Sequence, residues 1–368
     1  SAPADASPAD SLRSDFANFL QFAIIGRFDY AQAHAQSLLN RPDINPRLSK
    51  GAADALVDMC EKRPTAIDTL IILVSNSTIG EEAGKILGLI RESYRQTRMN
   101  PEQIKKHIEM LTGTPTEQAT GLERLIDSGE YAVPHMLNVL ADQSAAAKAL
   151  HPYVVRALPR LGKPAVNPLV IGLSIDNDVV QNYVADALGR LGYPQALAYL
   201  KRLADDPKAN PATRKTAAES VRQIVVADPR VKEAPAPLLF RELAEGYYAE
   251  ADSLVPDRNQ PRANVWAVEG QTIKPADVPR QIFCMVMSMQ ASEASLTLNK
   301  DQPQVLALKL AANFRRESRL GLDVQTAEAV TVDDPTQPEK FPRSIYWAYQ
   351  AGPACCERVL NRGLKDKD

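Results

Sequence analysis

From Asp176 to Val221 the chain reads DNDVVQNYVADALGRLGYPQALAYLKRLADDPKANPATRKTAAESV. Val180, Tyr183, Val184, Ala187 and Leu188 fall at i, i+3, i+4, i+7 and i+8, so they make one apolar stripe along a helix. Gly192 then offers a residue that adopts the left-handed conformation cheaply, and Pro194 stands near the first turn of a second helix, where a missing N–H costs nothing. Asn210-Pro211 opens a third helix with a cap residue followed by Pro at the first helical position. A single hairpin of this kind cannot bury its own apolar stripe. The pattern therefore predicts neighbouring hairpins stacked against it.

Two more segments carry the same punctuation. RLIDSGEYAVPHMLNVLAD starts at Arg124 and RLGKPAVNPLVIGLSID at Arg160, in register with RLGYPQALAYLKRLADD from Arg190. Gly162 and Pro164 repeat the roles of Gly192 and Pro194, and the period of about 30 to 36 residues is that of a two-helix solenoid unit. Further helix starts are marked by Asn100-Pro101-Glu102-Gln103 and Thr114-Pro115-Thr116-Glu117, each with a cap, a Pro and a Gln or Glu three residues on. Thr78-Ile79-Gly80-Glu81 reads as another capping box, opening a helix toward Tyr94.

The 176–221 stretch resembles the short HEAT-like repeats of the armadillo-type superhelix: an Asp, an apolar pair, A-x-A-L-G-x-L-G, Pro, an apolar helix and an Asp-rich turn. It departs where the family often has Arg in the first helix. Gln181 holds that place in one unit and Arg214 in the next, which weakens an Asp–Arg ladder between repeats. The flanks resemble tetratricopeptide hairpins more loosely. DFANFLQFAIIGRFDYAQAHAQSLLN, from Asp15, turns at Gly26-Arg27-Phe28-Asp29, and ASEASLTLNKDQPQVLALKLAANFRRE, from Ala291, has Lys300 where that family commonly has Pro.

These readings predict an all-α fold, an α-solenoid superhelix of stacked helical hairpins with a small β-hairpin insertion near 264–278. The insertion is expected because ANVWAVEGQTIKPADVP sets β-branched and aromatic residues around a Glu269-Gly270 turn. The organisation expected is a flexible N-terminus at 1–12, tetratricopeptide-like hairpins at 13–99, HEAT-like repeats at 100–229 and a tetratricopeptide-like region with the β insertion at 230–368. Polar, Pro-containing sequence at 326–342 reads as a loop, and a last helix is expected at about 353–364.

Composition narrows the function. Lys plus Arg number 43 against 45 Asp plus Glu, a net charge of -2, so no global attraction to nucleic acid or acidic lipid operates. No apolar run approaches the roughly 20 residues of a membrane-spanning helix. SAPADASPADS at the N-terminus reads as a linker or as an exported protein after signal removal, so a periplasmic or exported location is expected, with the cytoplasm as the alternative.

Chemistry is sparse. His34, His107, His135 and His151 form no ligand pair, and the four cysteines have no zinc or disulfide spacing. Adjacent Cys355 and Cys356 read as small helix residues facing different directions. Gly80-Glu81-Glu82-Ala83-Gly84-Lys85 is one residue short of a phosphate loop, with Ile86 in place of the hydroxyl. No catalytic residue, metal ligand, cofactor or small-molecule substrate is predicted. Arg124, Arg160 and Arg190 occupy equivalent repeat positions, with Lys163, Lys201 and Arg202 nearby, and stacking would align these six into a basic, partner-binding edge.

The function expected is a non-enzymatic scaffold or adaptor for protein partners. The layout resembles large bacterial HEAT-repeat proteins that have been likened to membrane coats. Two alternatives stay open: a peripheral binder of anionic lipid through the basic edge, and a relative of the HEAT-like bilin lyases, for which no catalytic residue can be named. Nucleic acid is not an expected partner, since no surface aromatics interleave the cations.

Overall fold

The computed structural model describes residues 8–46, 49–227, 233–258, 260–322, 333–337 and 343–366. The chain forms two compact units, Ser1–Ile104 and Lys105–Asp368. The first contains α1 (Pro8–Ile24), α2 (Phe28–Leu39), α3 (Lys50–Glu61), α4 (Ala66–Leu73) and α5 (Gly80–Met99). The predicted turn between α1 and α2 is present, with Gly26 at φ +74°. Phe16, Phe19, Leu38, Leu56, Leu70 and Ile86 close a common core.

Two readings of this unit need correction. Helix α1 begins at Pro8 and buries Leu12, inside the segment expected to be flexible, because Leu12, Phe16 and Phe19 supply an apolar face. Residues 1–7 lie outside the described part. No capping box forms at Thr78. Asn76 Oδ1 instead accepts the Thr78 and Ile79 amides, at 2.8 and 3.3 Å, one residue pair before the helix.

After α6 (Pro101–Met110), the second unit runs through α7 (Pro115–Ser128), α8 (Ala132–Ala141), α9 (Ala145–Ala157), α10 (Val166–Gly172), α11 (Asp178–Leu191), α12 (Leu197–Asp205), α13 (Pro211–Ala227) and α14 (Ala236–Tyr248). Helix α8 packs against α9, α10 against α11, both α11 and α12 against α13, and α12 against α14. Thr114 and Glu117 make the predicted capping box at α7, and Asn210 Oδ1 caps α13 through the Ala212 amide at 2.9 Å. Gly129, Gly162 and Gly192 all have positive φ, at the turns from α7 to α8, α9 to α10 and α11 to α12. Only Gly192 is left-handed in the helical sense. Gly162, at φ +72° and ψ -156°, is in a region essentially restricted to glycine. Pro164 and Pro194 each enter a one-turn 3-10 helix that leads into α10 and α12.

The predicted stripe on α11 is the packed one: Val180, Val184, Ala187 and Leu188 are buried, and α11 lies against α10 and α13. Polar bonds between successive hairpins accompany this packing. Asn210 Nδ2 donates to Asp178, Thr216 Oγ1 to Asn182 and Gln195 Nε2 to Asn167. Gln181 and Arg214, the unequal pair in the sequence, do the same work. Gln181 Nε2 donates to the carbonyl of Ile175, in the turn after α10, at 2.9 Å, and Arg214 Nε to that of Ala204, in the last turn of α12, at 3.2 Å. His151 serves similarly in the hairpin before, with Nε2 2.9 Å from the Val139 carbonyl.

The β insertion is a two-stranded antiparallel hairpin, β1 (Arg262–Glu269) and β2 (Thr272–Pro279), with Gly270 at φ +63° in the turn. It lies on α8 and α10 and against α15 (Arg280–Leu298). Trp266 is buried, and its indole N–H donates to Glu130 Oε2 at 2.9 Å. Asn264 Nδ2 donates to Glu130 Oε1 and to the Tyr131 hydroxyl, both at 2.8 Å. The hairpin thereby fastens the third quarter of the chain to the first repeat of this unit.

Helix α16 (Pro303–Arg319) packs along α15, and α17 (Ser344–Ala351) and α18 (Pro353–Asp366) pack on α16. The sequence reading located α18 but not α17. Most of the expected 326–342 loop lies outside the described residues; residues 333–337 within it form a turn. The fold class is all-α, of stacked helical hairpins with a small β hairpin.

Candidate protein-binding surfaces

The six predicted cations have different surroundings. Arg124 is exposed, with Asp127 3.9 Å away. Arg190 is exposed and pairs with Asp186 at 2.9 Å. Lys201 pairs with Asp205 and Glu233 at 3.3 and 3.2 Å. Arg202 turns inward: its guanidinium donates to Ser174 Oγ at 3.2 Å and lies 5.4 Å from the centroid of the Phe240 ring and 5.6 Å from that of Tyr199. Burial holds its pKa below the usual arginine value. Arg160 and Lys163 are exposed on either side of Gly162. Four of the six thus have a carboxylate or a buried setting close by, which an edge of free cations would lack.

A different surface stands out at α16–α18. Ser344, Ala348 and Ala351 lie on one stripe of α17, and Ser344 and Ala348 are buried. The small packing face lets a two-turn helix approach closely, and it leaves the large residues outside. Tyr349 is 81% exposed, Tyr346 49%, Trp347 41% and Ile345 38%. Large apolar side chains gathered at this density are a common mark of interaction surfaces. Beside Trp347 is a cavity of about 280 Å³, walled by Met289, Leu306, Leu310, Trp347 and Ala351, with Lys309, Asn313 and Gln350 as its polar lining.

A buried ionic network fixes this cavity. Arg316 and Asp334 are both almost fully buried and bond at 2.6 Å, while Arg316 Nε donates to Asn313 Oδ1 at 3.0 Å. The next residue, Glu317, accepts the Ser344 amide at 2.8 Å and lies 3.3 Å from Arg343 Nε. A carboxylate at the N-terminus of α17 is also favoured by the helix dipole. Three consecutive determinants follow from this: Asn313 faces the cavity, Arg316 holds Asn313, and Glu317 sets the start of the helix that carries Trp347.

The other motifs resolve simply. Lys85 pairs with Glu81 at 2.6 Å on the surface of α5, so the near-phosphate-loop sequence is helical. Cys355 is buried in an apolar cluster with Ala307, Leu310 and Ala348, whereas the Cys356 thiol points to the Ala348 carbonyl, 3.4 Å away. Cys355 is the more deeply buried of the two, and Cys356 packs against the same cluster from its edge. Among the described residues no group of three His, Cys, Asp or Glu is placed to hold a metal ion, and no helix is long and apolar enough to cross a membrane.

A family model for HEAT repeats matches residues 133–222 and, in an overlapping register, 166–239. The middle of this chain is HEAT-like. The two matches run from α8 through α13 to the first turn of α14, the stretch in which side chains bonded to carbonyls of the preceding hairpin recur. Comparison with curated proteins gives no match. HEAT repeats typically mediate protein interactions and are typically non-enzymatic.

Proposed function

We propose that this chain is a non-enzymatic scaffold or adaptor that binds other proteins through the outer surface of its helical stack. HEAT-like repeats supply the class of function. The observation that carries it to a place on the molecule is the exposed cluster of Tyr346, Trp347 and Tyr349 on one short helix, of which Trp347 also lines an apolar cavity, since aromatics dominate the energetics of protein interfaces. The alternative of an anionic-lipid edge draws less support, because Lys201 and Arg190 are paired and Arg202 is turned into the stack.

A photoreactive amino acid at position 349, with a control at exposed Lys215, tests the proposal in the native cell. Discrete protein adducts are expected at 349 and not at 215. No adduct at 349, together with flotation of the purified chain on anionic vesicles that fades with salt, would replace the scaffold by the lipid reading.

A further inference from the structure

The scaffold reading, on which this step rests, leaves the partner's chemistry unspecified. The cavity beside Trp347 constrains it. Its volume of about 280 Å³ falls below the range of roughly 300–1,000 Å³ usual for whole drug-sized ligands, so it suits one large side chain rather than a complete small molecule. Its walls are apolar and include Met289, whose unbranched thioether adapts to the shape of an occupant.

The polar lining narrows the choice further. It consists of one cation, Lys309, and two carboxamides, Asn313 and Gln350, with no carboxylate. Asn313 Oδ1 already accepts from Arg316, so the larger part of the capacity its amide has left is the two N–H donors of Nδ2. Donors and a cation at the mouth of an apolar cavity complement a peptide carbonyl and a carboxylate. The positive sign rests on Lys309 itself, because Arg316, Arg319 and Arg362 are each paired with a carboxylate of this chain.

Lys309 is also the cation free to exchange. Arg316 is buried with Asp334, and Arg362 is bound through two bonds, at 2.6 and 2.8 Å, to Glu245. The Lys309 partner is Glu293, and both side chains are solvent-accessible, at 36% and 59%. An exposed pair of this kind is worth little and yields to a better-placed anion.

We infer that the cavity beside Trp347 receives a single large apolar side chain from an acidic peptide segment of a partner protein, with a carboxylate next to that side chain bound by Lys309. The occupant is extended or helical chain, presenting its backbone carbonyl to Asn313 or Gln350.

Selection of random 12-residue displayed peptides on the immobilised full chain tests this. Enriched peptides should share a Trp, Phe or Leu with an Asp or Glu within one helical turn. For a synthetic peptide of that sequence, fluorescence anisotropy should show binding weakened at least about thirtyfold by Trp347→Ala, the scale of an interface hot spot. Selection on Lys309→Glu should turn the preference toward Lys and Arg. Both substitutions are at partly exposed side chains, and an unchanged unfolding midpoint checks the fold. Peptides that bind Trp347→Ala equally well, an acidic preference that survives Lys309→Glu, or displacement of the peptide only by phosphatidylserine vesicles would each overturn the inference. If cellular adducts form at 349 while the selected peptides ignore Lys309, the scaffold stands and the acidic segment falls. Absence of adducts removes the scaffold reading itself.

Discussion

The hairpins from α9 to α13 and the group α16–α18 use the same building unit and treat their polar groups differently. In the former, side chains such as Gln181, Arg214 and Thr216 reach short distances to the adjoining hairpin, and the bonds recur with the repeat. In the latter, charge is concentrated in one buried network, and the large residues of α17 face outward. Repetition favours many weak, interchangeable contacts. A site that must hold one geometry draws on a few strong ones, none of which is interchangeable.

That contrast can be broken most readily at Asp334. Replacing it by Ala removes the short bond to the buried Arg316 guanidinium and leaves it Glu317 at 3.9 Å, and a loss of about 3 kcal/mol, the low end for a broken buried pair, is expected. Urea unfolding followed by tryptophan fluorescence measures it, since Trp266 and Trp347 both belong to the second unit. A loss under about 1 kcal/mol would show that the network does not hold α17, because that is the range of an exposed ion pair.

Leu188→Ala in α11 is comparable in size. The residue is fully buried, so the lost transfer energy and the cavity left behind should cost about 2–5 kcal/mol by the same assay. A much smaller cost would mean that the repeats relax around the deletion.

Gln181 gives a finer test of interchangeability. Gln181→Ala should cost about 0.5–1.5 kcal/mol for one hydrogen bond, whereas Gln181→Arg should recover that cost, because Arg214 makes the equivalent bond one repeat later. Failure of the Arg variant to recover stability would make the two positions alike only in sequence spacing.

The smallest stability effect is expected at the proposed binding surface. Trp347→Ala should change unfolding by no more than about 1 kcal/mol, given its exposure, while abolishing cross-linking from position 349. A large stability loss with cross-linking retained would assign Trp347 to packing.

The middle hairpins were legible because helix starts, apolar period and turn glycines agree there over several residues each. The β insertion was legible from local composition, and the structure extends it only to 262–279. Helix α17 was not, because Ile345, Tyr346, Trp347 and Tyr349 suggest no helical stripe; its packing face is the unremarkable Ser344, Ala348 and Ala351. One of the chain's two Trp and two of its 11 Tyr fall within these four positions, which is the signal that would have drawn attention to the surface. Repeat equivalence of Arg124, Arg160 and Arg190 was real as spacing, but the environment of Arg202 depends on Phe240, contributed by a helix further on. The Arg316–Asp334 pair joins residues across a segment with no regular pattern, so no periodicity could announce it.

The bond between Trp266 and Glu130 spans 136 residues of chain. During synthesis, the first repeat of the second unit leaves the ribosome long before its β hairpin exists; at usual elongation rates the interval is on the order of ten seconds. For that time Glu130 and the surface of α8 and α10 stay open, and the repeats must be held by local helix contacts alone. Low contact order in the repeats makes an early, provisional stack accessible, whereas completion waits for a distant segment. The bonds from Trp266 and Asn264 to Glu130 can therefore form only after more than two thirds of these 368 residues have been made.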